Sequence, residues 1–150
     1  MRLILLLSFV MLLSSCVQRM GVEPEIFQIV RDNDALKLSI ELEKGADPNM
    51  VNGVGDPLVY VAAGPKGGLD VLTLLLNAGA DPNSTNSVGR TALHNAAGWC
   101  STDLVQTLID RGANPYLKNN KGRTALEATC SAPESSRQQV VRDLREAMSR

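Results

Sequence analysis

Five residues, Gly-Ala-Asp-Pro-Asn, stand at 45–49 and return unchanged at 79–83, and Gly-Ala-Asn-Pro follows at 112–115. The offsets are 34 and then 33 residues. Gly55, Gly89 and Gly122 keep the same step. So does Val59-Tyr60-Val61-Ala62-Ala63 against Leu93-His94-Asn95-Ala96-Ala97, and the apolar run 69–76 against 102–109. Several patterns sharing one period restrict the chain to a row of like structural units, each supported by its neighbours.

Each unit has a physical reading. Gly79 and Gly112 follow apolar runs of helical period and suit the left-handed residue that ends a helix. Pro82 and Pro115 cannot continue one. Polar, turn-rich stretches such as Ser84-Thr85-Asn86-Ser87-Val88-Gly89 predict a projecting hairpin-like loop. Thr91 and Thr124 then stand where an N-cap belongs. Two short antiparallel helices per unit result. Neither buries its apolar side alone, so the units must stack into an all-α solenoid of about four helix-turn-helix units.

Gly89-Arg90-Thr91-Ala92-Leu93-His94-Asn95-Ala96-Ala97 resembles the Gly-x-Thr-Pro-Leu-His-x-Ala-Ala signature of the ankyrin repeat, with Ala92 in place of proline. Gly79-Ala80-Asp81-Pro82-Asn83 matches that family's turn throughout. The resemblance covers 25–150 and divides it into an N-terminal capping unit (25–49), units at 50–83 and 84–115, and a C-terminal capping unit (116–150). Departures are specific. Pro57-Leu58-Val59-Tyr60 lacks the threonine cap, and Glu127 stands in place of histidine. The first unit opens directly on a helix over 25–32. The last has an expanded loop over 131–137 and a second helix over 138–148, with Val140, Val141, Leu144 and Met148 on its apolar side.

The first fifteen residues read differently. Arg2 precedes an apolar run, 3–13, broken only by Ser8. Its length fits a signal-peptide core and falls short of the roughly 20 residues that span a bilayer. Leu13-Ser14-Ser15-Cys16 resembles the bacterial lipobox. That resemblance implies removal of 1–15, lipidation of Cys16, a tether over 16–24 and, since Val17 is not aspartate, sorting to the outer membrane with the domain facing the periplasm. In a host without an outer membrane the anchor is the cytoplasmic membrane. Several acyl chains at about 0.8 kcal/mol per buried CH₂ hold a protein stably where one does not.

Composition narrows the function. Fifteen basic residues against sixteen acidic ones give a net charge of −1, which argues against nucleic-acid binding. Aromatic residues are 3% of the chain, too few for a stacking platform. With one histidine and three cysteines no zinc cage of the usual kind is expected. No cofactor, metal or small-molecule substrate is expected either. His94 has two readings, a general base or ligand and a structural link between turn and helix. Its position in the repeat favours the second, and no catalytic residue is assigned. Asp47 and Asp81 should bond local backbone N–H groups. If Cys16 is lipidated, Cys100 and Cys130 remain as an even pair. They form either a disulfide, in an oxidising compartment, or two small half-buried apolar residues.

The ankyrin resemblance implies a protein-binding module whose contacts come from finger tips and inner helices. Carried over position by position these are Met50, Val51, Val54 and Asp56 in the first finger. Ser84, Thr85, Ser87, Val88 and Arg90 follow in the second, and Leu117, Lys118, Asn120, Lys121 and Arg123 in the third. Tyr60, Val61, Asn95 and Trp99 belong to the helices. Trp99 is either core or a binding hot spot. The basic third finger predicts an acidic patch on the partner. The expected partner is a secreted effector or another envelope protein, and the most specific role is an immunity protein against a periplasm-acting toxin such as a phospholipase. A protective scaffold for a periplasmic stress enzyme and a structural envelope lipoprotein are the alternatives.

Overall fold

The computed structural model describes residues 23–66, 68–130 and 134–149. Cys16 and the leader therefore lie outside the described residues, as does the start of the expanded loop. Seven α-helices follow in order: α1 Glu25–Arg31, α2 Ala35–Glu43, α3 Leu58–Ala62, α4 Leu69–Asn77, α5 Ala92–Gly98, α6 Thr102–Asp110 and α7 Glu134–Ala147. A single 3-10 turn, Leu126–Ala128, lies between α6 and α7. No strand occurs among the described residues. Isolated antiparallel bridges, Val51 with Pro57 and Thr85 with Thr91, close the first two fingers.

Packing follows the repeat. α1, α3, α5 and the 3-10 turn form an inner row, each against the next. α2, α4, α6 and α7 form an outer row, and each unit's inner and outer members pack on one another. Apolar positions at helical spacing, such as Val71, Leu72 and Leu75 or Leu104, Val105 and Leu108, feed one continuous core. Phe27, Leu38, Leu58, Leu72, Leu75, Leu93, Leu108 and Leu144 are its largest fully buried side chains. Each such side chain contributes about 1.5–3 kcal/mol on leaving water. No single unit contains this core, so the fold is stable only as a stack.

Local chemistry places each helix. Thr91 caps α5: its hydroxyl accepts from the His94 N–H, while the His94 ring reaches back to the Thr91 N–H. α3, begun by Pro57, has no side-chain cap and is only five residues long. The departure at Glu127 preserves the cap in another form. The Glu127 carboxylate accepts from the Thr124 N–H at 2.8 Å and from its hydroxyl at 3.1 Å. These bonds hold its pKa below the usual carboxylate value.

Two sequence expectations need correction. The expected helix after Thr124 is a single 3-10 turn. Thr129 is extended, and the Cys130 N–H is taken by the Ala97 carbonyl of the preceding unit. The last helix begins at Glu134 rather than 138, so Glu134 to Arg137 are helix, not loop. The Gln138 side chain bonds to Glu134 at 2.9 Å and adds to that first turn. Val140 and Leu144 are buried as expected, and Val141 and Met148 are half-buried.

Candidate protein-interaction surface

The turns between units form a ladder. Asp47 and Asp81 accept from the N–H of Asn49 and Asn83 at 2.8 and 2.9 Å, as their turn positions predict. Each asparagine then clasps the next unit. Asn49 donates to the Gly79 carbonyl and accepts from the Asp81 N–H. Asn83 does the same with the Gly112 carbonyl and the Asn114 N–H. The glycines at these turns have φ near +90°, a region other residues enter at a cost.

The fingers have their own row of asparagines, which sequence reasoning missed. The Asn52 Oδ1 accepts from the N–H of Val54 and Asp56, and Asn86 from Val88 and Arg90. Asn119, buried, accepts from Lys121 and Arg123. These three positions keep the 34- and 33-residue steps, which is the signal that would have found them. Neighbouring fingers are also joined. Asn86 donates to Asp56 at 3.0 Å, Ser87 to the Val54 carbonyl at 3.1 Å, and the Asn120 N–H to the Val88 carbonyl at 3.1 Å. Gly89 has φ +73°, and a Cβ there would stand 3.0 Å from the Asn120 backbone nitrogen and 2.5 Å from its side-chain oxygen, so this finger contact favours glycine. Many of their backbone donors are used internally, and the fingers present mainly side chains.

Val54 is 70% exposed, and Val51, Val88, Thr85 and Ser87 are exposed with it. Lys118, Asn120, Lys121 and Arg123 are exposed on the third finger. Asp56, Tyr60, Ser84, Arg90 and Leu117 are half-buried. Burial raises the Tyr60 pKa. Met50 and Val61 are half-buried as well, and of the expected contact residues Asn95 is the most enclosed. Met50 and Val61 pack against the core. Asn95 is only 7% exposed, and its amide donates to the Tyr60 carbonyl at 2.9 Å, joining α5 to α3. Trp99 is 57% exposed at the end of α5, so it is not core.

His94 is fully committed. Its Nδ1 accepts from the Thr91 N–H and hydroxyl, and Nε2 lies 2.9 Å from the Arg123 carbonyl, to which it donates. That pattern requires the neutral ring protonated at Nε2. Burial lowers its pKa, with the Arg90 charge acting in the same direction against the Arg123 bond. The ring links the third unit to the fourth and has no free nitrogen for acid–base chemistry.

Cys100 and Cys130 are paired at disulfide distance, with Cα atoms 5.7 Å apart. Cys100 has φ +56°, the left-handed conformation that ends α5. Among the described residues no group of three His, Cys, Asp or Glu side chains is placed to hold a metal ion. No described helix is long and apolar enough to cross a membrane.

No curated protein sequence matches the chain significantly. The family model for ankyrin repeats in three copies matches residues 26–119 and, in a second overlapping register, 58–148. Period, paired helices, bridged fingers and this match agree: the chain belongs to the ankyrin-repeat family.

Proposed function

We propose that this protein is a binding module held in the bacterial envelope, an immunity protein that inhibits a periplasm-acting toxin such as a phospholipase effector. Ankyrin repeats are a protein-interaction architecture, and the observation that carries the binding reading is the finger row. Its backbone is bonded internally from unit to unit, while Val51, Val54, Val88 and Trp99 remain exposed. A surface ordered beforehand loses little conformational freedom on binding, which suits tight inhibition.

The envelope part rests on Leu13-Ser14-Ser15-Cys16 after an apolar run, and the Cys100–Cys130 bridge fits an oxidising compartment. Mass spectrometry of the mature N-terminus tests it: a diacylglyceryl cysteine at position 16 is expected, and an unprocessed Met1 overturns the anchor. The role is tested by co-expressing the chain with periplasm-directed phospholipases secreted by neighbouring cells. Rescue of growth together with a stable complex supports immunity. Capture of a periplasmic stress enzyme without growth rescue favours the protective scaffold instead.

A further inference from the structure

The described side chains carry an uneven charge. The ion pairs Glu23–Arg31, Lys37–Asp34 and Lys44–Glu41 all lie in the first unit. On the outer row, α4 and α6 carry Asp70, Asp103 and Asp110 and no lysine or arginine. The second and third fingers carry Arg90, Lys118, Lys121 and Arg123 against one acid, Glu127, which is occupied in capping Thr124. The side chains of Lys118, Lys121 and Arg123 make no hydrogen bond or close ion pair among the described residues, and the charges of Lys118 and Arg123 act on Glu127, whose pKa they help to lower.

Between these two fingers lies a pocket of about 370 Å³, lined by Val88, Arg90, Asn119, Lys121, Arg123 and Ala128, with no acidic residue in its wall. The Arg90 guanidinium is positioned from below by a 3.2 Å bond to the His94 carbonyl, and it lies against the Gly98 backbone, where a Cβ would be 3.2 Å away. The pocket's backbone donors are already used. The N–H groups of Lys121 and Arg123 go to Asn119, and that of Asn120 goes to Val88. It therefore lacks the nest of free N–H groups that cradles phosphate. Its wall includes instead Arg90 and Arg123, whose planar guanidinium donors match a carboxylate, Arg90 keeping one donor on the His94 carbonyl, beside Val88.

We propose that this pocket receives a glutamate or aspartate side chain from an acidic segment of the protein partner. Arg90 and Arg123 hold the carboxylate, and Lys118 and Lys121 draw the segment in. The proposal rests on the protein-binding reading and names the chemistry of its partner. Exposed cations at the rim raise the rate of encounter with an acidic surface, and salt screens that effect.

The test titrates the full chain with a twelve-residue glutamate-rich peptide, its glutamine counterpart and inorganic phosphate, followed by backbone amide NMR. The glutamate peptide should shift the amides of Val88, Arg90, Asn120, Lys121 and Arg123. The glutamine peptide should not, and phosphate should do so only at far higher concentration. Arg123→Glu and Lys121→Glu, at exposed side chains, should weaken the peptide at least about tenfold, whereas Lys37→Glu on α2 should leave it unchanged. Arg90→Lys separates loss of the fork from loss of charge and should weaken binding less than either reversal. Shifts spread over the outer row, or phosphate binding as well as the peptide, overturn the proposal. A partner captured equally by wild type and by Arg123→Glu also overturns it, while leaving the binding reading intact. Peptide binding at the pocket with no protein partner retained from envelope or secreted extracts would sink the binding reading instead.

Discussion

At the scale of single residues, His94 gives the sharpest expectation. Its folded-state pKa lies below the ordinary 6.5, because burial disfavours the charged ring and the Arg90 charge adds to this, against the bond to the Arg123 carbonyl. The unfolded chain therefore binds more protons between the folded value and 6.5. Stability should be complete above that window and fall as pH drops through it. Urea midpoints for wild type should decline from pH 7.5 to 5.5, and His94→Gln, less stable throughout, should show a smaller decline. An equal slope in both proteins would mean other groups set the pH dependence. The cysteine pair gives a second contrast. The bridge closes a loop of 30 residues, which the chain-entropy model values at about 3–4 kcal/mol. Cys130→Ala should lose about that much in denaturant unfolding. Cys100→Gly should lose about 1 kcal/mol less, because glycine accepts the positive φ of Cys100 without strain. The sequence shows cysteines of even number once Cys16 is set aside, but not the left-handed turn that brings Cys100 toward Cys130. Asn95 illustrates the same dependence on a neighbouring unit. Its place on α5 is legible, whereas its burial depends on the Tyr60 carbonyl lying opposite in the preceding unit.

Elements are legible to the extent that their own residues decide them. Thr91 and the apolar spacing of 92–97 specify α5 locally. The 3-10 turn after Thr124 carries the same kind of signal, Thr124 with Glu127, and yet stops after one turn. Its continuation is taken by a bond to Ala97 and by the bridge to Cys100, neither of which is local. The start of α7 was missed because Glu134 to Arg137 contribute no buried apolar residue, so hydrophobic period is silent there. In the fingers, the asparagine row decides the conformation. Asn86→Ala would leave the Val88 and Arg90 N–H groups without their acceptor and sever the bond to Asp56. A loss of about 1–3 kcal/mol is expected, with faster hydrogen exchange at both amides. Ser87→Ala, at an exposed position of the same finger, should stay within about 0.5 kcal/mol of wild type.

For the whole molecule, stability belongs to the contacts between units. Because the core runs without interruption from Phe27 to Leu144, equilibrium unfolding should be one transition despite the modular sequence. Leu144→Ala, in the last outer helix, should lower stability by about 3 kcal/mol. Its exchange rates should rise first in α6 and α7, the elements that share its contacts. A separate early transition confined to α7 would show that the cap folds independently. One contact at the opposite end bears on how the molecule takes force. Glu23 is held both by Arg31 of α1 and, at 2.9 Å, by the Asn52 amide at the base of the first finger. Tension arriving through the preceding chain thus meets a two-point clamp at the corner farthest along the row from the cationic fingers. If the chain is held through Cys16 as proposed, that carboxylate takes the load before any helix does, and the fingers of the last units are left to reach a partner.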